Sequence, residues 1–236
     1  MKSMTGKSDV SAPWLLKHSA LSYTNQWFMT DRKFMKELRK NGSQAIDALV
    51  LGNLAAKYMV ARGFKTEKDN PLSSSQRWLT AAAHLTAAAQ SAQQAEVKVR
   101  NLAIELGKVS PVKSITGTNL LSAATKFLWF AGEHEVRILD KRAVDALGRL
   151  GGVRGKLGVD YEQYAAVWKD QFDAHKGVLA EALVNLPRQL AWTCIPSDAH
   201  AEAKAVFKEL WFADRIFDKY LWTLGVGADG GSTSFV

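Results

Sequence analysis

Ile115 to Ala146 reads ITGTNLLSAATKFLWFAGEHEVRILDKRAVDA: a glycine turn, a helix, a polar connection and an aspartate opening a second helix. At 100° per residue, Leu120, Ala124, Phe127, Leu128 and Ala131 share one face of the first helix. Ser122, Lys126 and Trp129 share the opposite face, and Asp140 enters just downstream. Two readings fit. In the first, this face is ordinary surface: Lys126 is solvated, Trp129 packs, and Asp140 caps the second helix. In the second, Ser122, Lys126 and Trp129 wall a base-binding pocket into which Asp140 points.

Working outward, the remaining chain predicts helix nearly throughout. Alanine blocks dominate and runs of Val, Ile and Thr are scarce. The expected class is all-α. Residues 1–13 read as an arm ending at Pro13, 14–224 as a helical domain with a lobe junction near 65–75, and 225–236 as a flexible tail. Ser22–Lys40 is expected as a helix with Thr30 and Asp31 as candidate caps, and Gln44–Arg62 as a second, capped by Ser43 and carrying Met59 on its apolar face. From Gln76 to Gly107 the pattern allows one helix or two. Arg149–Gly158, rich in glycine and arginine, suits a phosphate-contacting loop or a plain connection. Tyr161–Leu186 is expected as a helix that Pro187 breaks or kinks, and Ala199–Leu224 as the final helix. There, Asp214, Arg215, Asp218 and Lys219 are spaced for pairs that support the helix.

Composition narrows the function classes. The 236 residues are 47% hydrophobic, enough for a sizeable core. The single cysteine, Cys194, excludes a disulfide framework and a Cys-rich metal site. The histidines lack metal-ligand spacing, and no cofactor fingerprint is present, so neither metal nor cofactor is expected. Without an apolar leader or membrane-length run, a cytoplasmic protein is expected. The net charge is +8, and Lys98–Lys156 holds eleven basic residues against five acidic ones. That concentration is the footprint of phosphate-backbone binding, or of a merely basic surface.

The run Ile115-Thr116-Gly117-Thr118-Asn119, then Leu121-Ser122-Ala123, then Val136-Arg137-Ile138-Leu139-Asp140 resembles the helix-hairpin-helix/GPD superfamily of base-excision DNA glycosylases, the 8-oxoguanine glycosylase-like group. The run Lys126-Phe127-Leu128-Trp129-Phe130 leading to Asp140 is similar to a divergent bacterial branch of it. The resemblance covers about 26 of the 236 residues. It implies a two-lobed helical fold with a helix-hairpin-helix-like element, duplex DNA as partner, and Asp140 as the catalytic carboxylate. It places Thr116, Gly117, Thr118 and Asn119 against a phosphate through backbone N–H groups, with Lys141, Arg142, Arg149, Arg154 and Lys156 as further backbone contacts. The chain departs from the pattern at the hairpin proline (Thr116) and the second glycine (Asn119). The slot of the family's Schiff-base lysine holds Leu121, and Lys126 lies about 140° round the helix from it. A monofunctional glycosylase acting through Asp140 is therefore expected. The alternatives are a nucleic-acid binder without chemistry and a helical protein whose positive surface meets an acidic protein partner.

Overall fold

The computed structural model describes residues 11–39, 45–64, 74–109, 118–153 and 156–226. Among them there is no strand. The helices are α1 (Ser11–Gln26), α2 (Arg32–Arg39), α3 (Ala48–Lys57), α4 (Ser74–Gln90), α5 (Ala95–Val109), α6 (Thr118–Ala131), α7 (Lys141–Leu150), α8 (Tyr161–Gln189), α9 (His200–Val206) and α10 (Leu210–Gly225). Among the described residues, no helix is long and apolar enough to cross a membrane.

α6 is the central element. From Leu120 to Phe130 every residue except Ser122 is buried. A helix covered on all sides must satisfy its polar groups internally. The expected division into an apolar and a solvated face is therefore corrected. α5, α4 and α2 cover one side. Over the Lys126–Trp129 side lie the 132–140 connection and Trp211 of α10, whose ring is 5.7 Å from that of Trp129. α10 in turn packs on α1, α7 and α8. At its end, a Cβ on Gly225 would run into the Arg142 carbonyl, so only glycine lets α10 approach α7 this closely.

Several expected boundaries move. The first helix begins at Ser11, inside the expected arm, and runs to Arg39 through a π-helical turn, Trp27–Asp31. Thr30 and Asp31 thus sit within the helix and cap nothing. The extra residue per turn aims Asp31 inward, where it is fully buried. Asp47 caps α3, its carboxylate accepting from Leu49 N at 2.7 Å and Val50 N at 3.3 Å; Ser43 lies outside the described residues. The long alanine block is two helices, α4 and α5. α8 continues past Pro187 to Gln189. The expected last helix is broken at Phe207–Glu209, where the chain turns so that the Phe207 ring packs 5.1 Å from Phe212. The expected lobe junction falls largely in residues 65–73, outside those described.

Candidate active site

The connection after α6 carries the key residue. α6 closes at Gly132, whose φ of +114° suits glycine alone. Val136 to Asp140 then runs without a strand partner, so its backbone groups must find side chains. They do. Tyr161 Oη accepts from Arg137 N at 2.8 Å and donates to Arg137 O at 3.2 Å. Tyr164 Oη donates to Ile138 O at 2.7 Å. Thr125 Oγ1 accepts from Leu139 N at 3.1 Å. Asp140, in extended conformation, ends the segment and caps α7, its Oδ1 accepting from Arg142 N at 3.0 Å. The capping role read from the sequence is therefore real.

Asp140 Oδ2 faces Lys126 Nζ at 3.5 Å. Lys126, expected on a solvated face, is only 5% exposed. Its amine also donates to Ser122 Oγ at 2.8 Å and to the Leu139 carbonyl at 3.5 Å. Burial pulls its pKa below the ordinary lysine range, and the neighbouring Asp140 opposes part of that shift. The sequence set Asp140 toward the Lys126 face only as one of two readings; the folded path of 132–140 brings the two side chains into contact.

Both residues line a cavity of about 600 Å³. Six basic side chains face it, from Lys57, Lys126, Lys141, Arg142, Arg215 and Lys219, against two carboxylates, Asp140 and Asp218. Its floor is a buried network. Arg215 Nη1 binds Asp218 Oδ2 at 2.8 Å, and Trp168 Nε1 donates to Asp218 Oδ1 at 2.7 Å. Arg215 also reaches Asp31 at 3.8 Å, and the Tyr58 hydroxyl donates to Asp31. Burial raises the pKa of Asp31 and Asp218, with Arg215 opposing both shifts. The Tyr23 hydroxyl is fully buried on the cavity wall beside Asp31 and Arg215. At the rim, Trp222 is 39% exposed, with Arg142 and Lys219 at 4.2 and 4.7 Å from its ring. Of the residues expected to support the last helix, Arg215 and Asp218 do pair within it, and with Lys219 they also line the cavity, while Asp214 pairs with Arg137.

Trp129, the candidate base platform, takes the packing role. It is 1% exposed, enclosed by Phe130, His134, Trp211 and the Arg215 guanidinium. Ser122, the other candidate pocket residue, is not among the cavity-lining side chains, and its Oγ accepts from Lys126 Nζ. Of the expected DNA contacts, Lys141 and Arg142 line the cavity, and Arg149 donates to the Leu224 carbonyl. Thr116, Gly117 and Arg154 lie outside the described residues, as do the side chains of Thr118, Asn119 and Lys156. Much of the basic segment is paired within the molecule: Lys98 with Glu133, Arg100 with Glu162, Lys108 with Glu105 and Arg137 with Asp214. Sequence reading missed Tyr23, Lys57, Tyr58, Lys219 and Trp222; only the aromatic and charged density of residues 214–222 signalled any of them.

A second, more open concavity beside His134 carries Arg32 and Lys36, both paired with Glu202. Among the described residues, no group of three or more His, Cys, Asp or Glu side chains is placed to hold a metal ion. Compared with protein families, curated proteins and solved structures, the chain has no significant match.

Proposed function

We propose that the protein is a DNA glycosylase that takes a modified or damaged base into this cavity and cleaves its N-glycosidic bond at Lys126 and Asp140. One observation carries the reading: a buried amine lies 3.5 Å from a carboxylate, both facing a cavity with cations at its mouth. The reading brings with it a helix-hairpin-helix element whose turn, Thr116–Gly117, is outside the described residues.

Glycosidic cleavage builds positive charge on the sugar, which a carboxylate stabilises. Asp140 Oδ2 supplies it, since Oδ1 is engaged by Arg142 N. Deprotonated, Lys126 is a nucleophile, and its buried setting favours that form. Its lone pair forms a bond to C1′ as the glycosidic electron pair leaves on the base, which takes up a proton from solvent. The amine passes one proton to Asp140, which returns it to the ring oxygen as the sugar opens, leaving a protonated imine on Lys126. Leu121, in the family's lysine slot, is buried and apolar; in place of the expected monofunctional mechanism, this reading lets Lys126 supply the amine from another face of the helix. Lys57, Lys141, Arg142 and Lys219 suit DNA phosphates, and Trp222 offers a stacking face to an extruded base.

The test is a base-release screen on duplexes carrying a panel of modified bases, with borohydride trapping of any imine. Asp140→Asn, with its fold intact by circular dichroism, is expected to lower release at least about 100-fold. Lys126→Gln is expected to abolish the trapped adduct. Full release by Lys126→Gln, with no adduct in the wild type, would mean that Asp140 directs water and Lys126 is only its partner. Duplex binding with no release from any oligonucleotide would leave a nucleic-acid binder without chemistry.

A further inference from the structure

We infer that Met59 is a wedge for duplex DNA, the side chain that enters the base stack when a nucleotide is drawn into the cavity. The inference rests on the glycosylase reading and adds the means by which the duplex is opened.

The observation is a residue in the wrong chemical place for stability. α3 ends in a Schellman turn: Met59 N donates to Ala56 O at 3.2 Å and Val60 N to Ala55 O at 2.9 Å. The residue between must be left-handed, a position that glycine fills without strain. α6 ends in the same turn, Gly132 N donating to Trp129 O at 3.1 Å and Glu133 N to Leu128 O at 3.0 Å, with glycine in that place. In α3 the residue is Met59, at φ +59°, the only non-glycine residue with positive φ among those described. Nothing in the core repays the strain, because the Met59 side chain is 61% exposed.

What Met59 has instead is position. It lines the mouth of the cavity that holds Lys126 and Asp140, and Lys57 lines the same mouth two residues earlier. The preceding Tyr58 is anchored by its hydroxyl to the buried Asp31. A rigid turn thus presents an unbranched apolar side chain outward, beside a cation. Stacked bases between two phosphates are the complementary surface: the methionine slides between base faces while lysine meets the backbone. Extrusion of a nucleotide leaves a gap that such a side chain fills, lowering the cost of holding the base out. Strain kept at a functional position fits this role.

The test uses a duplex containing a tetrahydrofuran abasic analogue with 2-aminopurine as its neighbour, and the same strand alone. Met59→Gly relieves the turn, so its thermal midpoint is expected to equal or exceed that of the wild type. Its affinity for the duplex is nevertheless expected to fall at least about tenfold, with loss of the 2-aminopurine emission change. Single-strand affinity is expected to stay unchanged, and Met59→Leu to keep wild-type duplex binding. Wild-type duplex affinity and emission change in Met59→Gly would overturn the wedge while leaving the glycosylase reading standing. A wild-type chain that binds neither DNA would overturn that reading and the wedge with it.

Discussion

His134 and Lys126 are basic side chains that burial holds back from their ordinary charge. His134 stacks 5.1 Å from Trp129 and lies 5.3 Å from Trp211, with the Arg39 guanidinium against its Nε2. Burial first, and Arg39 second, lower its pKa from 6.5 to about 4. The folded state therefore binds fewer protons than the unfolded chain between these values. Its contribution is present above pH 6.5 and is lost as pH falls toward about 4. Histidine NMR titration is expected to show His134 neutral down to about pH 4, and a midpoint near 6.5 would contradict the packing described. Lys126 differs in having a carboxylate beside it. That is why it belongs to the candidate chemistry and His134 to the scaffold.

The element on which the site depends is the extended run Val136–Asp140, held by tyrosines of α8 and a threonine of α6. Tyr164→Phe removes the donor to the Ile138 carbonyl and leaves that oxygen unpaired, at a cost of about 1–2 kcal/mol. For a chain of this size the thermal midpoint is expected to drop by roughly 4 °C. Base release should fall further than that loss of stability implies, because the segment carries Asp140 into place; an unchanged release rate would argue against this coupling. At this scale the sequence was readable where local rules governed. The start of α7 followed from Asp140 as a cap. The burial of Lys126 was hidden, since helical periodicity sorts faces but does not say that a connection will return to cover the polar one. The π-turn at Trp27–Asp31 was hidden too. Nothing in Trp-Phe-Met-Thr-Asp marks it, and its cause is tertiary: the Asp31 carboxylate is met by Tyr58 and Arg215 from other helices.

For the whole molecule, the distribution of charge matters more than its sum. The sequence located the basic surplus in 98–156, but folding pairs many of those groups internally and assembles the cavity cations from α3, α6, α7 and α10. If DNA is the ligand, the phosphates neutralised number about four, for Lys57, Lys141, Arg142 and Lys219. The logarithm of the binding constant should then fall with the logarithm of salt with a slope of about −4. A slope near −10 would mean that the whole basic segment meets DNA instead.

The backbone of residues 136–140 has one further consequence. A strand in a sheet is held by main-chain groups that every residue type shares, so sequence drift around it is forgiving. Here the geometry of Asp140 is inherited through individual side chains: Thr125, Lys126, Tyr161 and Tyr164. Substitution at Thr125, Tyr161 or Tyr164, the last two more than twenty residues away along the chain, is transmitted to the carboxylate without touching it. The freedom of this site to diverge is therefore set less by the cavity wall than by four clips behind it.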